Sequence, residues 1–165
     1  MTAHMIVIIM GVVGAGKTTV GKLLASQLGY EFRDADDFHP NSNVEKIRHG
    51  IALTDEDREP WLEGLREAIG GWIASGNNVV LACSALKRAY RTKLCAGPQV
   101  HFVYLKGSAA LIAQRLLARH GHFAGESILA SQLADLEEPE RAITVEISDT
   151  PERIVAEIRK GLHLG

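Results

Sequence analysis

The sequence has little cysteine, no long apolar run and no surplus of positive charge. Two cysteines stand among 165 residues, without the CxxC spacing of a redox or zinc motif, which favours a reduced protein over a disulfide-stabilised one. No apolar stretch approaches the about 18 residues that a membrane helix needs, and the first, residues 5–10, lacks the flanks of a signal peptide. The formal net charge is −2. We therefore expect a cytoplasmic protein whose partners include neither a membrane nor a nucleic acid.

The chain length fits one domain, residues 1–165, in which short apolar runs alternate with amphipathic stretches. Strands are predicted at residues 5–10, 30–33, 79–83, 101–105 and 143–147, and helices at residues 17–28, 61–75, 109–119, 127–136 and 151–162. Strands separated by helices predict βαβ units, and so an α/β fold with a parallel sheet between two layers of helices. Two less regular segments, about 34–60 and about 106–139, are candidates for carrying function.

The most specific motif is GVVGAGKT at residues 11–18, which matches G-x-x-x-x-G-K-[ST] between a predicted strand and a predicted helix. Its backbone N–H groups and the helix N-terminus are suited to bind phosphate oxygens. Lys17 is expected to reach the β- and γ-phosphates of ATP, and the Thr18 hydroxyl to hold Mg²⁺. The alternative is a glycine-rich turn with an exposed lysine. The predicted nucleotide-binding residues of this segment are Gly11, Gly14, Ala15, Gly16, Lys17, Thr18 and Thr19.

Other motifs narrow the class of P-loop protein. The sequence has no NKxD motif, which a GTPase uses to recognise its base, and no evident acid of the Walker B type at the end of an apolar strand. A short chain with a phosphate loop near its start and arginines late in the chain favours a small-molecule kinase, which needs an acceptor pocket and a lid that excludes water.

The segment DADDFHP, residues 34–40, follows the second predicted strand and is the candidate acceptor site. The carboxyl ends of parallel strands line the binding crevice of such a sheet. Asp36 is the predicted catalytic carboxylate, which would orient the acceptor hydroxyl and accept its proton. The alternative is helix capping by one aspartate and solvation of the others. His39 is expected to hydrogen-bond a polyol, or else to be an ordinary loop histidine.

Two further segments carry cations that suit an anionic acceptor. Arg58 stands among four acidic residues, with which it would pair unless it binds substrate. Lys87 and Arg91 belong to a basic cluster that follows the strand ending at Cys83, and arginine grips carboxylates bidentately. The alternative for that cluster is a solvated helix face.

The candidate lid contains Arg115 and Arg119, which lie four residues apart on one face of a predicted helix. Positive charge over a transferring phosphoryl group stabilises the transition state, so Arg115 is predicted to bind nucleotide and Arg119 to act in catalysis. The alternative is that both simply favour a helix C-terminus. Gly121 and Gly125 are plausible hinges, whereas His120 and His122 lack the partners of a metal site.

Taken together, GVVGAGKT, DADDFHP, LTDEDREPWL, ACSALKRAYR, RLLARHGHF and SQLADLEEP resemble the gluconokinases of the P-loop small-kinase type, over about residues 6–147. The resemblance implies a P-loop NTPase three-layer sandwich with a five-stranded parallel sheet, a mobile lid and commonly a homodimer. It also implies ATP- and Mg²⁺-dependent phosphorylation of D-gluconate at its 6-hydroxyl. The acceptor residues it implies are Asp36, His39, Arg58, Lys87, Arg91 and His122.

Two other hypotheses remain open at this point. A P-loop kinase for a different sugar acid would share every motif named above. A nucleotide-binding regulatory module would bind ATP without turnover, although the Asp36 carboxylate and the paired arginines of the lid have no evident use in such a sensor.

Overall fold

The structure is a computed structural model that describes residues 4–120 and 126–164, apart from the side chains of residues 119, 120, 126 and 127. Within these ranges the chain forms five strands and seven α-helices. The strands are β1 (Ile6–Met10), β2 (Glu31–Asp34), β3 (Val79–Ala82), β4 (Val100–Lys106) and β5 (Ile143–Glu146). The helices are α1 (Lys17–Leu28), α2 (Asn41–Arg48), α3 (Asp55–Ala74), α4 (Arg88–Leu94), α5 (Ala109–His120), α6 (Glu126–Asp135) and α7 (Pro151–Gly161). A short 3-10 helix (Ala35–Phe38) follows β2.

The five strands form one parallel sheet in the order β2-β3-β1-β4-β5. Strand β1 lies at its centre and is wholly buried, which explains why all five of its residues are apolar. Its alternating side chains enter two separate cores: Val7 and Ile9 pack on the face with α1 and α7, and Ile6 and Ile8 on the face with α3. The predicted α/β fold, with five parallel strands between two layers of helices, is confirmed.

This topology brings the segments that follow β1, β2 and β3 to one edge of the sheet, because parallel strands all end on the same side. The phosphate loop follows β1, the 3-10 helix with Asp36 follows β2, and Ser84 follows β3. A hydrogen bond from Gly11 N to Ser84 O, 3.3 Å long, joins two of these segments.

Helix α3 begins at Asp55, six residues before its predicted start, because Thr54 and Asp57 form a capping box. The Asp57 backbone N–H donates to the Thr54 hydroxyl (3.1 Å), and the Thr54 N–H donates to the Asp57 carboxylate (2.9 Å). Helices α2 and α4 were not predicted. Helix α2 has a polar sequence whose two apolar side chains, Val44 and Ile47, are exposed, so it carries no periodic apolar face.

In the described part of the chain both cysteines are free thiols, Cys83 buried and Cys95 exposed, in agreement with the predicted reduced state. None of the described helices is both long and apolar enough to cross a membrane.

Candidate active site

A cavity of about 240 Å³ opens at the edge of the sheet where β1, β2 and β3 end. One part of its lining is built from the phosphate loop and the start of α1, through Gly14, Gly16, Lys17, Thr18 and Thr19. A second part, here called the acceptor wall, comes from the acceptor-side segment and α3, through Asp34, Asp36, His39, Arg58 and Trp61. The structure thus brings together these five predicted nucleotide residues and three of the predicted acceptor residues, Asp36, His39 and Arg58.

The backbone of the phosphate loop requires glycine, most clearly at Gly14 and Gly16. Gly14 has φ +82° and Gly16 has φ +97°, values that side-chain-bearing residues rarely adopt. A Cβ on Gly14 would also lie 2.9 Å from Cγ of Leu116, so the loop packs directly against α5. Gly11 and Ala15, which also belong to the loop, are buried and are not among the described residues that line the cavity. Ala15 donates its N–H to Val12 O (3.1 Å), which closes the turn.

Lys17 lies at the N-terminus of α1 and faces the cavity. Its Nζ donates to Val12 O at 3.0 Å, which holds the ammonium over the loop. Burial lowers the pKa of Lys17, and the nearby Asp36 carboxylate opposes that shift. The side chain therefore lies in the same cavity as the acceptor-side residues Asp34 and Asp36.

Asp36 occupies the 3-10 helix because Asp34 caps that helix: the Asp36 N–H donates to Asp34 Oδ1 at 2.9 Å. The two carboxylates therefore both line the cavity. Burial raises the pKa of Asp36, the negative charge of Asp34 raises it further, and Lys17 partly offsets both effects. Such a carboxylate is a stronger base than an ordinary aspartate.

His39 is stacked against Trp61 and fixed by Asn43. Asn43 Nδ2 donates to Asp57 O (2.7 Å) and also lies 3.1 Å from His39 Nδ1, so Nδ1 accepts that bond and the ring proton sits on Nε2. Burial lowers the pKa of His39 to about 4, with a further contribution from the Arg58 charge. The ring is thus neutral near pH 7, with an Nε2–H donor available at the cavity.

Arg58 lines the cavity and is buried, with 8% of its side chain exposed. Its Nη1 donates to the Tyr90 hydroxyl (2.8 Å) and to Asp135 Oδ2 (3.0 Å). The ion-pair partner is therefore Asp135 of α6, far along the chain, and not one of the neighbouring acids that the sequence suggested.

Lys87 and Arg91 lie elsewhere: neither is among the described residues that line the cavity. Lys87 pairs with Asp55 at 2.8 Å. Arg91 is buried and donates to three backbone carbonyls, those of Ala85 (2.7 Å), Leu86 (3.0 Å) and Glu137 (2.7 Å). The structure therefore does not place these two predicted acceptor residues in the described lining of the cavity, and their side chains instead contact Asp55 and three backbone carbonyls.

The candidate lid residues are only partly described. Arg115 Nη2 donates to Ile147 O at 2.6 Å. Arg115 is not among the described residues that line the cavity. The Arg119 side chain and the whole of His122 lie outside the described residues, as do Gly121 and Gly125.

Helix α6 supplies residues to the site that sequence reasoning missed. Ile128, Ser131 and Gln132 line the cavity. Gln132 Oε1 accepts the backbone N–H of Val13 in the phosphate loop at 2.7 Å. The available signal was the pair of polar residues, Ser131 and Gln132, inside the otherwise apolar run ILASQLA.

Comparison with known proteins agrees with this geometry. The shikimate kinase family model matches residues 13–160. A probable gluconokinase of Xenopus tropicalis is 46% identical over 93% of this chain and 91% of its own length, and the gluconokinase of Gluconobacter oxydans is 43% identical over 92% and 87%. The crystal structure of a gluconokinase from Sinorhizobium meliloti superposes with a TM-score of 0.87 at 42% identity, covering 99% of this chain and 94% of that one. The chain therefore belongs to the gluconokinase family of P-loop kinases.

Proposed function

We propose that the protein transfers the γ-phosphoryl group of ATP to the 6-hydroxyl of D-gluconate, giving 6-phospho-D-gluconate and ADP. The observation that carries this proposal is that the phosphate loop and the Asp36 carboxylate line one cavity. Such a cavity lets a nucleotide and an acceptor meet directly. Gluconate is proposed as the acceptor because relatives of this chain are gluconokinases.

On the nucleotide side, the N–H groups of Gly14 and Gly16 and the N-terminus of α1 would bind phosphate oxygens. The Lys17 ammonium would neutralise charge that builds up on the β- and γ-phosphates. Holding the phosphates against a rigid loop also orients the γ-phosphorus towards the acceptor wall.

The residues present fit the Mg²⁺ that ATP-dependent kinases use. The Thr18 hydroxyl and the carboxylates of Asp34 and Asp36 all line the cavity, and Mg²⁺ in kinases is bound by few protein oxygens together with phosphates and water. Among the described residues there is no group of three or more His, Cys, Asp or Glu side chains that would hold a metal by itself, which agrees with such a shared site. When bound, the ion would neutralise phosphate charge.

On the acceptor side, Asp36 would orient the 6-hydroxyl and accept its proton as the new bond forms. His39 would donate from Nε2 to a hydroxyl of the polyol chain. The buried Arg58, held by Asp135, would provide positive charge for the carboxylate of a sugar acid. Arg115, Arg119 and His122 remain predictions for the closed state, as do the homodimer and the cytoplasmic location.

The experiment that tests this proposal measures ADP release by a coupled assay with D-gluconate, other sugar acids, shikimate, glycerate and AMP as acceptors. We expect turnover with D-gluconate to exceed turnover with each other acceptor by at least about 10²-fold in kcat/KM, since a site built to hydrogen-bond a substrate discriminates at that level or better. A preference for another sugar acid would show that the protein is a kinase with a different acceptor. ATP binding without turnover on any acceptor would indicate a regulatory module.

A further inference from the structure

Helix α6 contacts the donor side and the acceptor side of the cavity at the same time. Gln132 Oε1 accepts the N–H of Val13 in the phosphate loop at 2.7 Å. Asp135, three residues later, pairs with Arg58 of the acceptor wall at 3.0 Å. Residues three apart on a helix share a face. One face of α6 therefore contacts both the phosphate loop and the acceptor wall.

The contact with Val13 determines how the Gln132 carboxamide is oriented. A backbone N–H only donates, so the atom that faces it must be the amide oxygen. The planar amide group then directs its NH₂ away from Val13. Gln132 itself lines the cavity, as do Lys17 and Asp36, so its two N–H donors belong to a side chain of the candidate site.

Holding the amide in this way serves a purpose beyond bracing the loop. An apolar side chain at position 132 would fill the same space among Ile128 and the loop, whereas an amide keeps two donors in a region of phosphate charge. Donors fixed before the reaction stabilise developing negative charge more than donors that must reorient.

We infer that Gln132 is a further catalytic residue, which donates its amide hydrogens to the phosphoryl group during transfer. This inference rests on the proposed kinase function. In that step the acceptor oxygen forms a bond to the γ-phosphorus, its proton passes to Asp36, and the bond from the γ-phosphorus to the bridging oxygen breaks with its electron pair left on ADP. Gln132 stabilises the equatorial oxygens and exchanges no proton.

The test compares Q132E and Q132M with the wild type, and uses Q114E as the matched control, because Gln114 is exposed on α5 and is not among the described residues of the cavity. A glutamate retains an oxygen for Val13 N–H but replaces the NH₂ donor with negative charge, whereas a methionine adds no charge but loses the bond to Val13. The lost NH₂ donor is what the two variants share, so a fall of kcat in both reports the donor. Gluconate-dependent kcat, both KM values, ADP binding and thermal melting are measured for each variant.

We expect kcat of Q132E and of Q132M to fall by about 10²-fold, with the melting temperature of Q132E, which keeps the bond to Val13, close to that of the wild type and with Q114E unchanged. We also expect the ratio of Q132E to wild-type kcat to rise as pH is lowered, because a protonated carboxyl is neutral and again offers a donor. A fall of kcat in Q132E by less than about tenfold overturns the inference. If Q132E does not fold, the same criterion applies to Q132M: a fall of its kcat by less than about tenfold overturns the inference.

Failure of this inference differs from failure of the proposed function. If the wild type does not phosphorylate gluconate, the proposed function fails in the first measurement of the series. If the wild type is active and Q132E retains its kcat, only the role of Gln132 fails.

Discussion

The imidazole ring of His39 is stacked on the indole ring of Trp61, with ring centroids 4.4 Å apart and ring planes at 11°. Trp61 in turn donates from Nε1 to Ala35 O at 2.7 Å, at the start of the 3-10 helix that carries Asp36. Helix α3 therefore holds the candidate base and the candidate polyol donor through a single buried side chain.

Stability should depend on pH through His39. Because the pKa of this ring is lowered from 6.5 to about 4 in the folded protein, the unfolded chain binds a proton that the folded chain does not over that interval. The free energy of unfolding should therefore decrease as pH is lowered from 6.5 to about 4.

Urea denaturation of the wild type and H39Q across this pH range tests the effect, and H49Q serves as the control at an exposed histidine. H39Q should show a shallower loss of stability at low pH. Equal slopes for the wild type and H39Q would show that His39 titrates as it does in the unfolded chain.

Substitution of Asp36 by asparagine should reduce kcat by about 10²-fold or more, because the amide cannot accept the proton of the acceptor hydroxyl. In the wild type, kcat should fall as pH is lowered through the raised pKa of Asp36, which lies above the ordinary value of 3.8. D37N is the matched control, since Asp37 is the next residue of the same 3-10 helix and is not among the described residues of the cavity. A change in the KM for gluconate alone would make Asp36 a binding residue.

Substitution of Lys17 by methionine should reduce gluconate-dependent turnover by about 10²- to 10³-fold, because the charge opposite the β- and γ-phosphates is lost. The fold should persist, since the hydrogen bond from Lys17 Nζ to Val12 O is a single contact of the loop. The control is K22M, on the same helix and exposed to solvent. Near-normal turnover of K17M with an intact melting transition would refute the assigned role of the phosphate loop.

Arg91 should prove to be important for stability rather than for acceptor binding. R91M leaves three backbone carbonyls, those of Ala85, Leu86 and Glu137, without their donor, which we expect to lower the free energy of unfolding by about 3 kcal/mol. The exposed neighbour Arg88 is the control, as R88M. An R91M protein of normal stability with a greatly raised KM for gluconate would restore the interpretation drawn from the sequence.

The sequence predicted those parts of the site that depend on local pattern. The phosphate loop is a continuous motif, and Asp36 follows a strand end whose direction the parallel sheet determines. Contacts between distant segments were not predictable: Arg58 pairs with Asp135, 77 residues away, and Val13 bonds to Gln132, 119 residues away. The position of Arg91 was not predictable either, because a basic residue after a strand looks the same in sequence whether it faces a cavity or donates to buried carbonyls, as Arg91 does.

The start of α3 was also predicted incorrectly from the sequence. Acidic residues after Thr54 favour a helix start there, but the apolar periodicity from Trp61 onward placed the predicted start too late. With the helix beginning at Asp55, Arg58 is its fourth residue, and its side chain contacts Tyr90 and lines the cavity.

The central claim is that one cavity joins the γ-phosphate of ATP to the 6-hydroxyl of D-gluconate. Phosphorus–proton correlation NMR of the product formed from ATP and D-gluconate tests it most directly. The account predicts a single new phosphate ester whose phosphorus couples to the two protons on carbon 6, absent when K17M replaces the wild type. A phosphate ester at another carbon, or ATP consumption without any gluconate ester, would contradict it.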